Sequence, residues 1–255
     1  MNDQAVLTER RGNVLLITLN RPDARNAVNM ALAEGVAAAL DELDATDELF
    51  VGVLTGAGKG FCAGMDLKAF VTGERPWVGD RGFAGIVQRA SKKPLIAAVE
   101  GFAVAGGLEI ALACDLIVAA SDAKLGVPEV KRSLVAAGGA LLRLPQRVGQ
   151  GAAMELVLTG DPVDADRALA MGLIDRIAEP GGAVDAALEL AAVISKNAPL
   201  ALIASKQVLN EQNDWSEQEF WAKQGEIAGP VMTSQDAQEG AKAFAEKREP
   251  VWKGR

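Results

Sequence analysis

Short unbroken apolar runs are the first pattern along this chain. Val14 to Leu19, Phe50 to Thr55, Leu95 to Val99 and Leu116 to Ala119 are mostly continuous apolar stretches, without the alternation of a strand wetted on one face. Such runs predict strands covered on both sides. Between them the spacing becomes helical: Leu32, Val36, Leu40 and Leu43 recur after Asn29, and Ile110, Leu112 and Ala113 follow Gly106 and Gly107. Strands alternating with helices predict an α/β core linked by crossover helices.

From about Ala183 the strand signal fades. Helices are predicted around 183–196, 199–211, 215–228 and 235–247, forming an all-helical appendage with breaks near Asn197-Ala198-Pro199, Asn213-Asp214 and Gly229-Pro230. Its apolar residues Leu202, Phe220, Trp221 and Phe244 suit either a cap on the core or an assembly surface. The chain divides into a core unit, 1–197, and a C-terminal helical region, 198–255. Val71 to Gly85, VTGERPWVGDRGFAG, is the segment expected to be mobile, and Trp77 within it is either a pocket residue or an exposed one.

Composition then narrows the chemistry. A chain of 255 residues, 49% apolar, can bury a sizeable core. The net charge of -8 argues against a nucleic-acid partner. No signal-peptide pattern opens MNDQAVLTERRG, and no apolar run approaches the roughly 20 residues that cross a bilayer, so a cytoplasmic protein without membrane attachment is expected. Cys62 and Cys114 give neither a disulfide framework nor metal-ligand spacing and read as small core residues. The chain has no histidine and no tyrosine, which removes His-assisted triads, His-based metal sites and phenolic acids. Proton transfer falls to carboxylates or lysines, with glutamate the natural candidate and no metal expected.

Gly101 to Glu129, GFAVAGGLEIALACDLIVAASDAKLGVPE, sets a glycine pair and two glutamates in an otherwise apolar stretch. Gly106 and Glu109 are three residues apart at a helix start, so an amide and a carboxylate face one side of its first turn. Upstream, GAGKGFCAGMDLKAF (56–70) is a glycine-rich turn after a strand, and it matches neither a Walker loop nor a dinucleotide fingerprint. Singly, Glu109 reads as an ordinary first-turn glutamate and Glu129 as a loop residue. Together with two glycine turns they fit a scheme in which two amides hold an enolate oxygen while two carboxylates move protons.

These residues sit inside a longer set of motifs: LNRPDARNAV (19–28), GFCAGMDL (60–67), AVEGFAVAGGLEIALACDLIVAA (98–120), VPEV (127–130), MELVLTGDPVDADRALAMGLID (154–175) and AFAEKREPVW (243–252). Over nearly its full length the chain resembles the crotonase (enoyl-CoA hydratase/isomerase) superfamily. The resemblance implies an α/β fold with a crotonase-like ββα spiral core and a C-terminal helical oligomerisation region. It implies an oxyanion hole from the backbone N–H groups of Met65 and Gly106, and a catalytic pair in Glu109 and Glu129. CoA-binding positions fall on Ala24, Arg25, Ala63, Asp66, Leu67 and Lys68, with Arg25 and Lys68 as phosphate partners or merely solvated charges. Phe244 and Lys247 are implied contacts to a neighbouring subunit's CoA. Asp66 also reads as a turn or helix-capping carboxylate.

The implied activity is reversible hydration of a trans-2-enoyl-CoA, with no cofactor beyond the CoA of the substrate, in a homotrimer or homohexamer. Dehydration of a carnitinyl-type thioester, shift of a double bond, and acyl-CoA binding without turnover are the alternatives. After Glu129 the chain reads VKRSLVAAGGALLRL where typical hydratases resemble ILLGTIPGAGG. It is one residue shorter there and lacks the Pro-Gly pair, so substrate preference is expected to depart at this border of the acyl pocket.

Overall fold

The computed structural model describes residues 4–255; residues 1–3, at the start of the N-terminal stretch and of the core unit, lie outside the described residues. In chain order the strands are β1 (Val6–Arg11), β2 (Val14–Leu19), β3 (Val51–Gly56), β4 (Trp77–Val78), β5 (Gly82–Phe83), β6 (Leu95–Val99), β7 (Phe102–Val104), β8 (Leu116–Ala120), β9 (Lys124–Gly126), β10 (Val163–Asp164) and β11 (Arg176–Ala178). The helices are α1 (Met30–Ala45), α2 (Leu67–Val71), α3 (Gly106–Leu112), α4 (Ala140–Thr159), α5 (Ala165–Ala170), α6 (Ala183–Ile194), α7 (Pro199–Glu211), α8 (Glu217–Met232) and α9 (Gln235–Glu246).

Two sheets organise the core. The larger has the order β1-β2-β3-β6-β8-β11, parallel except for β1, which pairs antiparallel with β2 across the Gly12-Asn13 turn. The four continuous apolar runs are its central strands β2, β3, β6 and β8, as their pattern required. β1 was not legible as a strand because VLTERR carries three charges; an edge strand tolerates them, since one side of its ladder faces water. The smaller sheet, β10-β9-β7, takes the three-residue strands that follow β6 and β8.

Successive units therefore share one plan. β6 joins the large sheet, β7 the small one, and α3 follows; β8, β9 and α4 repeat it. An earlier turn begins with β3 and reaches the small sheet through a single parallel bridge between Cys62 and Ala103 before α2. The chain thus winds as a spiral of ββα turns. Each turn leaves the small sheet at the same end, past the C-terminal ends of its parallel strands, and the segments leaving it are the ones that carry chemistry.

Side chains alternate across the large sheet. Leu15, Ile17, Leu19 and Leu54 belong to the core under α1, whereas Val14, Leu16, Val51, Val53, Ile96, Ala98 and Val118 pack on the opposite side against Ala183, Ala187, Leu190 and Ala191 of α6. This corrects the expectation of a helical appendage from Ala183. α6 is a layer of the core, because the second face of a parallel sheet must be covered. The break expected at Gly229-Pro230 is also absent: α8 runs through both residues to Met232, and the chain turns at Thr233.

The 71–85 segment is not loose throughout. Arg81 is 2% exposed and donates to the carbonyls of Arg89 and Ala90 and to Asp41 on α1, fixing the β4–β5 hairpin. A buried guanidinium whose two terminal nitrogens both donate, while its Nε has no partner among the described residues, locks a turn that sequence irregularity alone suggested would move. Among the described residues no single helix is long and apolar enough to cross a membrane.

Candidate active site

Three spiral turns meet at one cavity of about 400 Å³. Met65 comes from the turn after the Cys62 bridge, Gly106 and Glu109 from the start of α3, and Glu129 from the 3-10 turn after β9; all four line it. Phe70, Trp77, Phe83, Leu134 and Val135 supply apolar walls. Trp77 is a pocket residue, its ring 5.3 Å from that of Phe83.

Local backbone geometry explains why two amides are free there. Gly106 opens α3, so its N–H has no intrahelical partner, and neither it nor the Met65 N–H meets an acceptor among the described residues. The preceding Ala105 is held at φ 52, ψ -131, a conformation strained for any residue with a Cβ. Gly64, at φ 92, abuts this turn so closely that a Cβ on it would lie 3.0 Å from the Gly106 nitrogen. The second glycine of the pair has a packing role: a Cβ on Gly107 would lie 2.1 Å from the Cys62 carbonyl oxygen. Backbone cannot yield as a side chain does, so Gly107→Ala is expected to cost about 3 kcal/mol in urea unfolding and to displace the 62–65 turn. Wild-type stability in that variant would contradict the close fit.

The carboxylates have unlike surroundings. Glu109 is 4% exposed, and its Oε1 accepts from the Ala140 N–H at 3.2 Å, the first residue of α4. Burial pushes its pKa up to about 7; the N–H groups of Ala140 and Gly138 and the Arg143 guanidinium oppose the rise, and the charge of Glu129 adds to it. Glu129 is half-buried, and burial raises its pKa too. Its Oε2 is buried with no hydrogen-bond partner among the described residues, a group left for something that enters the cavity. One carboxyl is thus anchored, and near the range where a proton can be taken or given at neutral pH; the other is free, and burial shifts it upward as well.

Of the other anticipated positions, Arg25, Ala63 and Leu67 also line the cavity, whereas Ala24, Asp66 and Lys68 do not. Asp66 caps α2 through the Lys68 and Ala69 N–H groups and pairs with Arg21 at 3.0 Å. Burial works against its charge, yet the Ala69 N–H and Arg21 hold its carboxyl below the ordinary value. Phe244, 88% exposed, and Lys247, capping α9, stand away from this chain's cavity. Sequence reasoning missed Phe83, Gly138, Ala140 and Arg143. A second glycine pair, Gly138-Gly139, was the available signal for the last three.

A spiral of ββα turns that brings two free amides against one buried and one half-buried glutamate defines an enzyme of the crotonase superfamily. The family profile of enoyl-CoA hydratase/isomerase matches residues 9–255, and the chain belongs to that family. It is 42% identical over 259 aligned positions to enoyl-CoA hydratase EchA19 of Mycobacterium tuberculosis, covering 98% of this chain and 96% of that protein. It is 40% identical to carnitinyl-CoA dehydratase of Salmonella enteritidis, over the whole of both chains. The crystal structure of enoyl-CoA hydratase EchA1 from Mycobacterium marinum superposes with a TM-score of 0.97 at 55% identity, covering 99% of this chain and 100% of that one.

Proposed function

We propose that this enzyme catalyses the reversible addition of water to a trans-2-enoyl-CoA, giving a 3-hydroxyacyl-CoA. The observation that carries the reading is the convergence of Glu109 and the partnerless Oε2 of Glu129 on a cavity edged by the unpaired N–H groups of Met65 and Gly106. The thioester oxygen accepts from the two amides. Glu109 takes a proton from water as the water oxygen bonds the β-carbon, and the displaced electron pair moves onto the thioester oxygen as an enolate. Glu129 then delivers its proton to the α-carbon, and the proton held by Glu109 returns to Glu129 through solvent, so both carboxyls are restored and one water is consumed. Each amide contributes about 3 kcal/mol to the barrier reduction, because its dipole is already oriented when charge develops.

Substrate is held by its CoA portion along Arg25, Ala63 and Leu67, with Lys68 reaching its phosphates from outside the cavity. No cofactor is needed, since the reaction is neither redox nor dependent on a Lewis acid. The unit 1–197 carries the site, and 198–255 serves assembly into a trimer or hexamer. Exposed Trp221, Met232 and Phe244 on α8 and α9 support that assembly, as apolar surface of this kind is covered in a stable subunit contact. Phe244 and Lys247 then complete a neighbour's CoA site. The protein works in the cytoplasm.

Dehydration of a carnitinyl-type thioester is the second reading, favoured by the 40% identity to carnitinyl-CoA dehydratase over the full chain; it uses the same steps in reverse. The test is turnover of crotonyl-CoA, longer enoyl-CoAs and carnitinyl-CoA in heavy-oxygen water, with products identified by mass. Label on the β-carbon oxygen is expected. A shifted double bond without label would make the enzyme an isomerase, and binding of every thioester with no turnover would overturn both readings.

A further inference from the structure

Glu109 and Arg143 face the same dipeptide from neighbouring residues. A Cβ on Gly138 would lie 2.4 Å from Glu109 Oε2, and one on Gly139 would lie 2.2 Å from Arg143 Nη1. Consecutive Cα atoms are about 3.8 Å apart and each Cα–Cβ bond adds about 1.5 Å, so carboxylate and guanidinium stand no more than about 11 Å from each other across two residues without side chains. Gly139 is the N-cap of α4, at φ 105, and Arg143 follows in that helix while Ala140 donates to the other oxygen of Glu109. The guanidinium is held in place by donating through Nη2 to the Val87 carbonyl at 2.6 Å. It makes no ion pair among the described residues, although much of its side chain is withdrawn from water.

We propose that Arg143 is a positioning residue for Glu109, its charge acting across the Gly138-Gly139 slot to keep the carboxylate ionised and turned to the Ala140 N–H. The proposal rests on Glu109 being the group that accepts the proton of water. Burial without compensation would leave that carboxyl protonated at neutral pH, and a protonated Glu109 is no base. The charged groups acting most strongly on Glu109 are Glu129, which disfavours its ionisation, and Arg143, which favours it, while Arg25 and Arg132 line the same cavity. The strands packed on α3, β7 and β8, carry no titratable residue, and Arg147 further along α4 is engaged with Asp175 and the Asp115 carbonyl. Arg143 is the one cation on α4 left to offset Glu129, because Arg147 is spent elsewhere.

The readout must separate charge from mere support of Val87. Arg143→Gln keeps a donor for that carbonyl and removes the charge; Arg143→Lys keeps the charge. Glutamate δ-carbon NMR titration, with the Glu109 signal assigned by its loss in Glu109→Gln, follows the carboxyl directly and needs no turnover. In Arg143→Gln the Glu109 midpoint is expected to rise by about 1, and the limb of kcat/KM that requires ionised Glu109 to rise by the same amount. At pH 6 this is about a tenfold loss in kcat with KM little changed. Arg143→Lys should return both towards wild type. An unmoved midpoint in Arg143→Gln, or equal midpoints in the Gln and Lys variants, would overturn the proposal. Arg143→Met is the second neutral variant should Arg143→Gln not fold. A wild-type enzyme that hydrates no enoyl-CoA would instead remove the functional reading and leave the titration to decide the electrostatic one.

Discussion

Replacing either glutamate by glutamine is expected to lower kcat for enoyl-CoA hydration by about 10²- to 10⁴-fold, with KM almost unchanged. The amide fills the same space but neither accepts nor delivers a proton at these acidities. KM is expected to be spared because, in the proposed function, the CoA portion and the thioester oxygen are held by Arg25, Ala63, Leu67 and the two backbone amides, all lining the cavity apart from the substituted side chains. Glu109→Gln disables the addition of water, and Glu129→Gln disables protonation of the α-carbon. The two steps are linked through one enolate, so the double variant should lose far less than the product of the single losses. Steady-state kinetics on crotonyl-CoA, followed by loss of the conjugated thioester absorbance, measures all three. Full activity in both single variants would refute the assigned roles.

The same Glu109→Gln substitution should make the protein more stable, by on the order of 3 kcal/mol above pH 7. Folding carries the carboxyl from an ordinary value of 4.5 to about 7, so between those values the folded protein holds a proton that the unfolded chain has lost. Stability then falls as pH rises through this window. Below it both states are protonated and the residue is neutral in effect; above it the full cost of a buried charge remains. Glutamine carries no such cost and can still accept from the Ala140 N–H. Urea unfolding of the two proteins should coincide near pH 4 and diverge steadily up to pH 7. A constant difference across the range, or a less stable variant at pH 8, would show that the charge of Glu109 is not what burial opposes. Activity and stability are thus set against each other at one residue, as expected where a site stores an unfavourable group for use.

Much of the plan was legible before any coordinates. Continuous apolar runs marked the four central strands because a parallel sheet with both faces covered has no polar positions to spare. Asn29 and the leucines after it marked α1, and the start of α3 followed from a glycine pair entering an apolar helix. The pairing of Glu109 with Glu129 was suggested by two weak signals and by the absence of histidine and tyrosine, which left carboxylates as the natural groups for the work. What stayed hidden depended on neighbours remote in sequence. α6 looked like an appendage because periodicity shows that a helix has an apolar face without showing which surface meets it. Arg81 looked like part of a loose loop because its acceptors lie on α1 and beyond the hairpin.

The sequence by itself determined the four central strands, α1, the glycine-led start of α3 and the identity of the groups able to move a proton, since each of these is local chemistry or local geometry. Only the tertiary structure decided that Met65, Gly106, Glu109 and Glu129 share one cavity, and that Gly138-Gly139 and Arg143 stand behind one of them. The reason is the spiral. Successive ββα turns leave the small sheet at the same end of its parallel strands, so residues tens of positions apart are stacked beside one another, and the burial and charges that tune Glu109 exist only once they are.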